Sequence, residues 1–157
     1  MQRTTTMWAA AALATAALAG CGSDSAASTE STQNAYCQQV QAFKTSSNAL
    51  GTVFTGSSTP TPDAVKNVFT TMQEGLHALD KNPPAAIKAD VDAMTKDIDT
   101  VVDLFSKHNW DVNELSTGAD ADALKASLND PAAASASTNL QAWAATNCGI
   151  TADTVAS

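Results

Sequence analysis

The sequence predicts an all-α fold: a four-helix up-down bundle with a broken fourth arm, closed by one disulfide. Three observations predict it. Apolar residues recur at steps of three and four along most of the chain, the alternation that half-buried strands need is absent, and two cysteines stand near the two ends of the periodic region. At 157 residues the chain suits one domain with tails.

The first 20 residues read as an export signal. Arg3 is their only charge, an apolar Ala/Leu-rich run extends from Trp8 to Ala19, and small residues precede Cys21. About 12 apolar residues fall short of the roughly 20 that span a bilayer. Leu18-Ala19-Gly20-Cys21 resembles the lipobox of bacterial lipoproteins. The resemblance implies cleavage between Gly20 and Cys21 and a diacylglyceryl thioether on the Cys21 sulfur. Two or three acyl chains hold a protein firmly where one is marginal. No twin-Arg pair is present, which favours the general secretory route.

Residues 21–32 are polar and Ser/Thr-rich, and are expected to form a flexible tether reaching roughly 18 Å. The folded domain is assigned to 33–150 and a short tail to 151–157.

Helix one carries the seam Tyr36, Val40, Phe43, Ser47, Leu50 and Phe54; helix two carries Val65, Phe69, Met72, Leu76 and Leu79. Between them, Thr59-Pro60-Thr61-Pro62-Asp63 ends the connection and starts the second helix, with Asp63 near its positive end. Helix three, expected over Pro83 to Lys107, carries Ile87, Val91, Met94, Ile98, Val101 and Phe105. Asn82-Pro83-Pro84 starts it, and Lys107 and His108 close it where positive charge suits the helix dipole. All four Phe residues fall on these seams and read as core.

The fourth arm begins after Gly118, with Leu124 and Leu128 one turn apart, and is interrupted at Asp130-Pro131. A last Ala-rich helix follows, with Ala133, Ala136, Leu140 and Trp143 on its seam and Cys148-Gly149 at its end. A continuous helix over Ala119 to Asn147 would measure about 44 Å, against about 27 Å for helix two. A break at Pro131 is therefore expected, with the short piece before it folded across one end. Up-down winding sets the start of helix one beside the end of the last helix, where Cys37 and Cys148 fall. With Cys21 set aside, an exported chain has one pair of thiols for one bridge. A metal site or reactive thiol at either position has no nearby His or third Cys.

Charge and motifs exclude several functions. The chain carries 8 Lys+Arg against 16 Asp+Glu, a net −8, and no basic stripe, so nucleic acid is not an expected partner. Losing Arg3 with the signal takes the charge to −9, which anionic lipid repels, so the anchor is the lipid and not the protein surface. His77 and His108 are the only histidines, and zinc-ligand spacing is missing; a haem ligand from Tyr36, His77 or His108 is a minor alternative. Helix three carries Asp92, Asp99 and Asp103 off its seam, interleaved with Lys88 and Lys96. Asp92–Lys96 and Asp103–Lys107 are acid-first pairs on a solvated face. Nucleophile elbows, phosphate-cradling loops and nucleotide fingerprints are absent. No catalytic residue, metal or cofactor is assigned.

Tyr36-Cys37, Asn147-Cys148-Gly149, the lipobox, the Ala/Thr-rich composition and the stretch from Pro83 to Asp90 together resemble small lipid-anchored helical proteins of actinobacteria. That likeness implies an extracytoplasmic protein on the cell membrane and carries over no catalytic residues. The expected function is a non-enzymatic envelope lipoprotein binding a protein partner or a ligand. The alternatives are an extracytoplasmic enzyme without a legible site and a carrier of an apolar ligand such as haem or lipid.

Two features divide these readings. The long connections fall at the end away from the tether, and one holds Trp110 flanked by His108, Asp111 and Glu114, an aromatic anchor in a polar rim. Trp110 plugging the bundle end is the alternative. Ser47 is the one polar residue on a seam. An apolar pocket beside it would favour ligand carriage over partner binding, and a bond to the backbone one turn earlier would be its ordinary role.

Overall fold

The computed structural model describes residues 24–55 and 59–151, with side chains from residue 32 onward. The expected signal 1–20, the expected lipidation site Cys21 and most of the expected tail 151–157 lie outside the described residues. The chain forms α1 (Asp24–Phe54), α2 (Pro62–Asp80), α3 (Lys88–Lys107), α4 (Ala119–Leu128) and α5 (Pro131–Cys148). Short 3-10 turns occupy Ala85–Ile87 and Glu114–Ser116, and the described residues contain no strand. None of the described helices is long and apolar enough to cross a membrane.

Local chemistry sets most of the boundaries. Thr61 caps α2 by accepting from the Ala64 amide, with Pro62 in the first turn and Asp63 beside the positive helix end. Asp130 caps α5, its carboxylate 2.8 Å from the Ala132 amide, ahead of Pro131. Helix three starts later than expected. Pro84 holds Pro83 out of the helical region and is itself extended at ψ 139°, so a single 3-10 turn intervenes before Lys88. Conversely, α1 begins at Asp24, making residues 24–32 helical where a coil tether was expected. After Gly22 that stretch has neither Gly nor Pro, while Ala26, Ala27 and Glu30 favour helix, so nothing stops propagation from the packed part.

The helices pack as a bundle: α1 on α2, α2 on α3, and α5 on both α3 and α1. The seams form its core. Tyr36, Val40 and Phe43 come from α1, Val65, Phe69, Leu76 and Leu79 from α2, and Val91, Ile98, Val101 and Phe105 from α3. Val68, Thr95, Leu104 and Ala144 are buried as well, because a helix facing a core covers a wider stripe than a coiled-coil seam. Two seam residues depart from expectation: Phe54 is 44% exposed and Leu128 is 65% exposed.

Leu128 is exposed because α4 does not fold across one end of the bundle. Asp120 Oδ2 lies 2.9 Å from His108 Nε2, while Ser127 Oγ donates to Asp97. Positions thus rise along α4 as they fall along α3, so α4 runs antiparallel beside the second half of α3. Leu115, 1% exposed, pins the connection and feeds the chain back in that direction. Among its residues α4 buries none.

Cys37 and Cys148 form the expected disulfide, 111 residues apart in sequence and 5.4 Å apart at Cα. Gly149 follows α5 with φ 66°, a left-handed conformation that suits glycine. The reversal brings the Ile150 amide back to the Ala144 carbonyl and sets Ile150 against the core.

Candidate functional site: a cavity between the first and last helices

At the end away from the disulfide, four rings form a column through the bundle. Phe54 meets Phe69 edge-on, Phe69 stacks on Phe105 at 4.8 Å, and Phe105 lies parallel to Trp110 at 6.3 Å. The end of α3 explains why Trp110 is there. Asn109 and Trp110 both have positive φ, 52° and 63°. The Trp110 amide donates to the Phe105 carbonyl at 2.8 Å and the Asn109 amide to Ser106 at 3.4 Å. This is a Schellman cap with Asn in the place glycine usually holds, and the Trp110–Phe105 stack is its accompanying apolar contact.

The neighbours of Trp110 turn to other partners. His108 Nε2 pairs with Asp120 at 2.9 Å, fixing the start of α4. The Asp111 carboxylate accepts from the Asn113 amide and side chain at 2.8 and 3.1 Å, closing its own turn. Glu114 is exposed at the start of a 3-10 turn. The four residues share a loop without converging on a pocket.

The charged face of α3 is paired. Asp103 meets Lys107 at 2.6 Å, as expected, but Asp92 pairs with Lys88 at 2.9 Å instead of Lys96. His77 is exposed and bonds Asp99 at 2.9 Å. Asp80 has one carboxylate oxygen buried without a partner. Its pKa is raised first by a hydrogen bond to Asp92, which favours the protonated form, and then by burial. Asp92 is held low by Lys88 and then by Asp80. No cluster of metal-ligating side chains occurs among the described residues.

At the disulfide end a recess of about 490 Å³ is bordered by Gln33, Tyr36, Asn82, Pro83 and Trp143. It places the Asn82-Pro83 turn at that end, as the winding predicts. Burial, and then the charge of Asp80, push the Tyr36 hydroxyl up to about 12.

A partly enclosed apolar space lies between α1 and α5, just above the disulfide that joins them. It measures about 580 Å³. One wall is Val40, Phe43, Lys44, Ser47 and Asn48 of α1, and the facing wall is Ser137, Leu140, Gln141, Ala144 and Ala145 of α5. Met72 of α2 and Met94 of α3 complete the lining. Ile150 and Thr151 form a lip, and Lys44 Nζ donates to the Thr151 carbonyl across it. The sequence explains the opening. Leu140 is the one large apolar residue that α5 contributes to this lining, and opposite its Ser and Ala positions α1 presents Ser47 on its seam. Small side chains on both walls leave unfilled volume where larger ones would interlock. Ser47 Oγ also donates to the Phe43 carbonyl at 2.9 Å, so its hydroxyl stays satisfied next to an apolar space.

No family model, curated protein or solved structure matches this chain. What the site selects must be inferred from its walls. Two methionines give a lining that adapts to irregular apolar shapes. The volume falls in the range of roughly 300–1,000 Å³ occupied by small-molecule sites.

Sequence reading missed this cavity as a whole and flagged only Ser47. An Ala/Ser-rich helix with one Leu per few turns was the further signal. It also missed the cap at Asn109, although Asn directly after a basic helix end is a recognised stop signal.

Proposed function

We propose that this chain is an extracytoplasmic lipoprotein, anchored to the cell membrane through acylated Cys21, that carries an apolar ligand between α1 and α5 without chemical conversion. In this reading the fold is a four-helix up-down bundle whose fourth arm is α4 and α5, broken at Asp130-Pro131. The cavity beside Ser47 carries the proposal: about 580 Å³ with mainly apolar walls and a methionine floor. A well-packed bundle closes this space with Leu or Ile. Leaving it open has a use when something apolar fills it.

Docking of an envelope protein is the second reading. It rests on Phe54, a large apolar side chain 44% exposed at the end of the bundle away from the disulfide.

Two measurements test the proposal. Mass spectrometry of the membrane-purified chain should show acylated Cys21 at the mature N-terminus; an unmodified chain still starting at Met1 rejects the anchor. For the cavity, the full-length chain carrying Cys21→Ser is purified without detergent and titrated with N-phenyl-1-naphthylamine, an uncharged apolar fluorophore. Saturable binding is expected, and Ser47→Phe should abolish it by filling the space. Absent binding, or binding that Ser47→Phe leaves intact, rejects ligand carriage.

A further inference from the structure

The cavity has one charged residue on its wall. Lys44 stands at the lip, and no carboxylate lines the space in a chain with twice as many acidic as basic residues. Four carboxylates, Asp80, Asp92, Asp99 and Asp103, line a separate groove between α2 and α3. A net charge of −8 repels anions at long range, so any preference for an anion must arise at close contact.

The position of Lys44 makes such contact available. An ammonium carries three N–H donors, and the carbonyl of Thr151 takes one. That bond holds Nζ across the mouth, at the rim and not at the floor. Its neighbours on the rim are polar: Asn48 on the same helix, and Gln141 on α5. Below them the lining turns apolar, with Val40, Phe43, Met72, Met94 and Leu140. The site therefore has a polar, singly cationic mouth over an apolar interior, the distribution that a molecule with one anionic head and one apolar tail complements.

Resting on the carriage reading above, we infer that the ligand class is a single-chain anionic amphiphile, a long-chain fatty carboxylate, with its tail in the cavity and its head on Lys44. The carboxylate receives a charge-assisted hydrogen bond at the partly desolvated mouth, an interaction roughly twice as strong as a neutral one. Asn48 and Gln141 supply amide donors on either side, Gln141 with the one N–H left over from its bond to Ser137. An uncharged chain gains the burial without that bond, and a cationic chain meets Lys44 as a like charge.

The test uses the full-length Cys21→Ser chain with the naphthylamine fluorophore bound and compares displacement by palmitate, hexadecan-1-ol and hexadecyltrimethylammonium, all below their micellar range. Palmitate should displace the probe at a concentration about tenfold or more below that needed for hexadecanol, with the cationic chain weakest. Lys44→Met should raise the palmitate value to that of hexadecanol and leave hexadecanol unchanged. Lys44→Arg should keep most of the preference, and thermal melts of both variants report whether the bundle is intact. Equal displacement by palmitate and hexadecanol overturns the inference, as does a preference that survives Lys44→Met. If the probe binds but no long-chain amphiphile displaces it, the ligand class is wrong and the cavity reading stands. If the probe itself fails to bind, carriage fails, and the inference with it.

Discussion

Gly75 of α2 lies directly against Phe43 of α1: a Cβ added at Gly75 would stand 3.3 Å from Phe43 Cδ2 and 3.8 Å from its Cα. The missing side chain lets the two helices approach, and the ring it abuts is part of the cavity wall. Gly75→Ala therefore couples stability to binding. Alanine gains up to about 1 kcal/mol in helix propensity over glycine. The Phe43 ring can yield a few tenths of an ångström because open volume lies on its other side. The expected outcome is a higher melting temperature together with several-fold weaker binding of the naphthylamine probe. A lower melting temperature would mean that Phe43 is fixed in place.

The Cys37–Cys148 bridge closes nearly the whole folded segment. In the chain-entropy account, a loop of that size restricts the unfolded state by about 4–5 kcal/mol. Replacing both cysteines by serine should lower the free energy of unfolding by up to that amount, read from the midpoint in urea. Peptide mapping without reductant should recover the linked pair from the native chain.

Trp110→Ala removes the apolar contact of the α3 cap and one ring of the column. A half-buried aromatic gives a loss of about 2–3 kcal/mol, below the 3–5 kcal/mol typical of fully buried ones. The melting temperature should fall accordingly. Unchanged stability with loss of a co-purifying envelope protein would instead make this loop a docking surface.

Asp80→Asn tests the carboxyl pair on α2 and α3. The Asp80 pKa is raised, first by its hydrogen bond to Asp92 and then by burial. A carboxyl raised on folding adds stability at acid pH, and the contribution disappears as pH climbs through the folded value. At neutral pH the ionised Asp80 is thus a cost that asparagine lacks. The variant should melt above the native chain at neutral pH, with the gap narrowing as the pH falls through the raised folded value of Asp80 towards the ordinary carboxylate range. Asp92, held low by Lys88, acts in the opposite sense: its contribution is present above the ordinary carboxylate range and fades as pH falls. A variant less stable than the native chain at neutral pH would contradict this account.

The parts of the structure legible in sequence were those written in large apolar residues. Val65, Leu79, Val91 and Val101 announce their burial by spacing alone, and all four are at most 2% exposed. Pairing Cys37 with Cys148 needed only the expected winding and the expected export. The harder parts depend on what is small or irregular. Periodicity marks where a large side chain stands, and carries no signal for the empty volume between Ser47 and the Ser/Ala face of α5. Leu124 and Leu128 suggested a buried stripe on α4, yet Leu128 is exposed. Where that helix lies depends on Leu115 and on contacts with His108 and Asp97, far away in sequence. The candidate residues around Trp110 were placed on the correct loop; their partners Asp120, Asn113 and Phe105 follow from backbone geometry that no spacing rule encodes.

α4 has a dynamic consequence. It buries no residue, and buried anchors flank it on both sides, Leu115 before and Ala136 after. It can lift away by releasing the His108–Asp120 and Asp97–Ser127 bonds and the packing of half-buried Leu124 against the core, so its opening costs far less than global unfolding. In native-state hydrogen exchange its amides should form a separate cooperative unit, exchanging orders of magnitude faster than those of α2 and α3. A protease acting on the folded chain should find its first cut there, and the two pieces would remain one covalent molecule through Cys37 and Cys148.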